Sequence, residues 1–214
     1  MVVDMRGSFG GGCGEIASRA ARDVRRLTGM TIVHIVQHGS KLPVPGDPGL
    51  TDAGFAQAEA VARHFSTAPG VTLWSSPLLR ARQTIAPLAT KLGLDVRLDE
   101  RLRERANWDG TRPIGDFLAD WARCTADRDH VPAEGESSRA AGERFLGFLR
   151  EAEGTVIAAA HGGVTVDLLR TLVGDEGVPA LLLEEGMPPG AVTTIEDLRP
   201  VRIAYTGHLS AGGE

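Results

Sequence analysis

From residue 31 onward, short β-branched apolar runs alternate with stretches whose apolar residues recur at helical spacing. That alternation leaves few architectures open. Thr31–Val36 reads as a buried strand, and Thr51-Asp52 opens a helical pattern carrying Phe55, Ala58, Ala62 and Phe65. Val71–Ser75 is a second strand; Pro77 then starts a helix that runs to Leu92 and stops at Gly93. Asp95–Leu98 is a short strand, Ser137–Ala152 a helix with Phe145, Phe148 and Leu149 as its stripe, Thr155–Ala160 a buried strand and 164–173 a helix. Extended runs are expected near 180–185 and 190–205. Residues 105–135 show no clean period and are read as a lid segment. Strands alternating with helices of ten to fifteen residues predict an α/β fold: a mostly parallel central sheet with helices on both faces.

Composition bounds the function. The chain has 214 residues, 42% apolar and 24% charged, enough for one well-cored globular domain. A net charge of −5 argues against a nucleic-acid partner, which calls for a broad basic surface. No run reaches the roughly 20 apolar residues of a membrane span, so no membrane partner is expected. Cys13 and Cys124 lie far apart without a CxxC partner and read as reduced thiols of a cytoplasmic protein. Residues 1–29, glycine-rich and then arginine-rich, are read as an N-terminal extension, disordered or with a short helix over Arg19–Arg26, beside a domain at 30–214. Met30, directly before the first strand, is an alternative start.

Ligands of open parallel sheets bind at the carboxyl ends of the strands. Two histidines stand there, each followed by glycine: Gln37-His38-Gly39 and Ala160-His161-Gly162, 123 positions apart. One such histidine is ordinarily structural; a pair at the ends of two strands of one sheet points to an anion site. Glycine lets backbone N–H groups approach an anion, and the helix after Gly163 presents its positive end. Arg80, in the first turn of the helix after the second strand, offers a planar fork suited to a phosphoryl group. Arg82 fits a solvated helix face better, and Glu104 alone would pass for a surface carboxylate.

Taken together these segments resemble the histidine phosphatase superfamily, the group that includes cofactor-dependent phosphoglycerate mutases. Gln37-His38-Gly39 resembles its opening Arg-His-Gly; Leu50-Thr51-Asp52-Ala53-Gly54 with Gln57-Ala58 resembles its first helix start. Ser75 to Thr84 is similar to its Ser-Ser-Pro-Leu segment, and Leu102-Arg103-Glu104 with Trp108-Asp109-Gly110 to its acidic stretch. Gly135-Glu136-Ser137, Ala160-His161-Gly162 and His208-Leu209 complete the series in order. The resemblance implies a three-layer α/β/α, phosphoglycerate mutase-like fold and a metal-independent, cofactor-free hydrolysis of a small phosphorylated metabolite. His38 would be the nucleophile that becomes phosphohistidine, His161 and Arg80 would neutralise the phosphoryl oxygens, and Glu104 would move the proton. Gln37 and Gly162 would line the phosphate site. A homodimer is an assembly open to such a domain.

One position departs from the pattern: Gln37 stands where the resemblance expects arginine. Losing one charge-assisted contact, worth roughly 1.5–3 kcal/mol, would lower affinity or turnover about 10- to 150-fold. Lys41 on the same loop is a candidate replacement cation, or a solvated loop lysine. A phosphomutase, a phosphate-binding pseudoenzyme or regulatory module, and a repurposed pocket are the competing readings. The 105–135 segment is short for the insertions that trap a mutase intermediate, which favours hydrolysis. His34 is expected to be packed, His64 exposed and His130 near the cavity; Trp108 and Trp121 are expected to close the lid, and the 43–48 loop to form a second wall.

Overall fold

The computed structural model describes residues 29–65 and 69–210. The domain reading of residues 1–28, and Cys13 with it, lies outside the described residues. Residues 31–210 build one sheet of six strands: β1 (Ile32–Gln37), β2 (Val71–Ser75), β3 (Val96–Leu98), β4 (Thr155–Ala160), β5 (Val192–Glu196) and β6 (Arg199–Tyr205), in the order β3-β2-β4-β1-β5-β6. The first four pair in parallel; β5 and β6 are antiparallel additions at the far edge.

Helices α1 (Asp52–His64) and α2 (Leu79–Leu92) cover one face, α4 (Ser138–Glu151) and α5 (Gly162–Val173) the other. The period-two alternation of the strands sorts the core between them. Val33, Ile35, Val156 and Ala158 pack with Phe145, Phe148, Leu149 and Leu168, whereas Val36, Ile157 and Ala159 pack with Val61, Ile85 and Leu88. Strands buried on both faces are what a parallel sheet demands, and they account for the continuous apolar runs.

Local chemistry marks the helix ends. Thr51 and Ser137 cap α1 and α4, their hydroxyls accepting from the N–H groups of Gly54 and Ala140. Gly93 closes α2 at φ 65°, a left-handed turn that glycine adopts without strain.

The sequence reading departs from the structure in three places. Residues 105–135 contain a helix, α3 (Ile114–Ala126), whose most apolar positions, Ile114 and Leu118, face solvent while Asp120 and Cys124 are buried. Ile114, Phe117, Leu118, Trp121 and Cys124 do recur at helical spacing, a period that the reading of 105–135 as irregular passes over. Residues 180–184 form a short helix, α6 (Ala180–Glu184), instead of an extended run. Phe55 is 44% exposed; the core-facing stripe of α1 runs through Gly54, Ala58, Val61 and Ala62. No helix among the described residues is long and apolar enough to cross a membrane.

Candidate active site

The site assembles where β1 and β4 end side by side. Gln37 lies opposite Ala160 in register, and the His38 N–H donates to the Ala160 carbonyl at 3.2 Å. His38 and His161 thereby project from adjacent parallel strands, their ring centroids 5.2 Å apart and nearly edge-to-face. Helix α1 presses directly against the loop after β1. A methyl group on Gly39 would lie 2.5 Å from the Gly54 carbonyl, and one on Gly54 2.1 Å from that of Ser40. Both positions need glycine for this approach.

His38 is buried, and its Nδ1–H donates to the carbonyl of Gly39 at 2.8 Å. That bond sets the tautomer, so Nε2 carries the lone pair. Burial, with smaller contributions from the charges of Arg80 and Lys41, lowers the His38 pKa to about 4 although the Gly39 bond opposes it. The imidazole is therefore neutral at neutral pH. Gln37 places its amide nitrogen 3.4 Å from that Nε2, long for a hydrogen bond, and its buried Oε1 has no hydrogen-bond partner.

His161 is fully buried, and burial together with the Arg80 charge drives its pKa well down. Its Nε2 lies 2.8 Å from the Ser76 hydroxyl, which also accepts the Leu78 N–H. The hydroxyl proton is thus free to point at Nε2, leaving the proton of a neutral ring on Nδ1, which has no partner. Arg80 is 2% exposed in the first turn of α2. One terminal nitrogen donates to Asn107 Oδ1 at 3.2 Å; the other lies 3.6 Å from the Asp47 carboxylate. Nε and Nη1 of this buried cation have no hydrogen-bond partner.

Glu104 occupies the positive end of α5. Its carboxylate accepts from the N–H groups of Gly163 at 3.0 Å, Val164 at 2.8 Å and Arg105 at 2.9 Å. The helix terminus that sequence reasoning offers to the ligand thus holds a protein carboxylate at the edge of the site, and Glu104 also supports the charge of Arg80. Gly162 packs tightly: a methyl group there would lie 3.1 Å from Met187 Cβ and 3.4 Å from the Gln37 amide. Lys41 is exposed on the loop after β1, where partial burial and the Arg80 charge lower its pKa and its own charge reaches His38.

Several supporting residues carry no sequence signal of their own. Ser76 and Thr84 lie within the segment that resembles the family, where Thr84 accepts the Gly39 N–H at 3.0 Å. Asp47 and Asn107 flank Arg80, and Arg105 pairs at 2.9 Å with Asp167, a buried carboxyl that burial raises to about 6 against the pull of that arginine. Trp121 packs beside the start of α5: Arg105 stacks on it at 3.9 Å and a methyl group on Gly163 would lie 2.5 Å from its ring. Trp108 bonds within its own segment, to the Arg112 carbonyl. His34 is packed, bonded to Thr194 and beside Phe65; His64 is exposed; His130 lies 3.6 Å from Asp120.

Comparison with known proteins agrees with this geometry. Residues 31–196 match the histidine phosphatase superfamily (branch 1). Two uncharacterised Mycobacterium tuberculosis proteins are 38% identical over 98 residues, 42% of this chain; the match spans about half, 48%, of their own length. Glucosyl-3-phosphoglycerate phosphatase of the same organism is 32% identical over 173 residues, 72% of this chain and 76% of the relative. The native structure of mycobacterial glucosyl-3-phosphoglycerate phosphatase superposes with a TM-score of 0.63 at 26% identity, covering 78% of this chain and 91% of that one. With its central sheet, its paired strand-end histidines and these relatives, the chain belongs to the histidine phosphatase superfamily.

Proposed function

We propose that this chain is a metal-independent phosphatase that hydrolyses a small phosphomonoester through a phosphohistidine on His38. The observation that carries the reading is a buried arginine with unpartnered donors beside a neutral histidine of defined tautomer. A buried charged donor without a hydrogen bond costs a fold dearly; Nε of Arg80 has none and Nη1 has only the Asp47 carboxylate at 3.6 Å, so both are open to the oxygens of an anion. In the proposed first step the Nε2 lone pair of His38 forms a bond to phosphorus while the bond to the leaving oxygen breaks. Arg80, His161, the Gln37 amide and Lys41 take up the negative charge of the phosphoryl oxygens, and Gly162 leaves room beside Gln37. Glu104 delivers a proton to the departing oxygen and is left as the carboxylate; in the second step it takes a proton from water as the water oxygen bonds to phosphorus and the His38 N–P bond breaks, and phosphate leaves.

The relatives' names put phosphorylated sugar acids first among substrates to screen. A phosphate-binding pseudoenzyme is the second reading, favoured by the neutral amide of Gln37 beside the nucleophile. Hydrolysis of an aryl phosphate by the wild-type protein and by His38→Ala separates the two. Turnover abolished by the substitution, with phosphate trapped on His38 by mass spectrometry, supports the phosphatase; phosphate binding without turnover, or phosphate trapped elsewhere, overturns it.

A further inference from the structure

The 43–48 loop is tied down through its residues 45–47. Asp47 accepts the N–H of Leu79, the first residue of α2, at 2.9 and 3.0 Å, and lies 3.6 Å from Arg80. The Gly46 N–H donates to the Trp108 carbonyl at 2.9 Å, and Pro45 packs so closely on Gly110 that a methyl group there would sit 2.9 Å away. Asn107 joins these parts. Its amide nitrogen donates to the Gly46 carbonyl while its oxygen accepts from Arg80 at 3.2 Å.

On the phosphoryl-site reading above, we propose that Asn107 is a positioning residue: it latches the 43–48 loop to the 107–110 segment and fixes the Arg80 guanidinium so that its unpartnered donors meet the phosphoryl group. An amide meets both demands at once. It has an acceptor for the guanidinium and a donor for the carbonyl, and it adds no charge beside the anion. A carboxylate would leave Gly46 without its donor and repel the phosphoryl oxygens. An aliphatic residue would leave a third nitrogen of a 2%-exposed arginine without a hydrogen-bond partner. A long side chain free to change rotamer must be ordered by the ligand, which weakens binding.

The test reads inorganic phosphate affinity by calorimetry alongside aryl phosphate kinetics. Asn107→Ala is expected to weaken phosphate about 10-fold or more and to raise KM in step, with a smaller change in kcat. The same substitution in an Arg80→Lys background should cost no more than about 2-fold, because the group it positions is gone. Equal losses in both backgrounds mark a structural role and overturn the proposal, as does wild-type phosphate affinity in Asn107→Ala. Asn107→Ser, smaller but still polar, is measured the same way if the alanine variant does not fold. Failure of the wild-type protein itself to bind phosphate would instead sink the phosphoryl-site reading on which the proposal rests.

Discussion

Gly163→Ala isolates the placement of Glu104. At the second residue of α5, alanine is ordinarily the better helix former by about 1 kcal/mol. Here the added methyl would lie 2.5 Å from the Trp121 ring and 2.6 Å from Glu104 Oε1, so one of the two must move. The indole is backed by Arg105, stacked at 3.9 Å and paired with the fully buried Asp167. Retreat would strain that ion pair, whose disruption costs about 3–5 kcal/mol. Glu104 is the freer partner, and moving it forfeits the bonds from Gly163 and Val164, each charge-assisted and worth about 1.5–3 kcal/mol. The loss outweighs the gain in helix propensity. Aryl phosphate kinetics should show kcat/KM reduced at least about 10-fold, which corresponds to about 1.4 kcal/mol, while calorimetric phosphate affinity stays within about 2-fold. A variant with wild-type kcat and a raised Tm would refute the reasoning, since it would show that Trp121 yields and that the cradle does not place Glu104.

Gln37→Arg places a cation beside His38 and should hold or raise turnover, whereas Lys41→Ala should lower it by well over the ~2-fold of a typical surface change if Lys41 lends its charge to the phosphoryl group; equal rates for Lys41→Ala and wild type rule that role out. His38 should remain neutral, with its proton on Nδ1, down to about pH 4, as followed by side-chain ¹⁵N NMR; a midpoint near the ordinary value of about 6.5 would contradict the burial argument. Because the folded pKa lies below the unfolded one, the linked stability is present above about pH 6.5 and lost as pH falls through about 4, by at most ~3 kcal/mol for His38. Urea unfolding across that range should show a shallower pH slope for His38→Ala.

The sheet and the two histidines were legible because strand burial and strand ends leave local marks. Thr31–Val36 and Thr155–Ala160 are apolar on both faces, and each ends in histidine and glycine. Arg80 was legible from its helix start. Its clamp was not: Asn107 and Asp47 reach it from loops whose approach depends on contacts such as Pro45 against Gly110, which no periodicity encodes. Helix α3 is a different case: Ile114, Phe117, Leu118, Trp121 and Cys124 do recur at helical spacing, and only the prolines and charges around them obscure the period. Glu104 was picked out through resemblance alone; its capture by the α5 terminus is a tertiary event.

The position of β1 between β4 and β5 also bears on how the protein is made. The strand that carries the nucleophile leaves the ribosome before every other strand, yet both of its partners come later. At about 5–20 residues per second, the 123 residues from His38 to His161 take roughly 6–25 s to synthesise. Throughout that interval an apolar strand lacks both neighbours, the condition under which nascent chains associate wrongly. The centre of the finished sheet is thus the part of it that waits longest for partners.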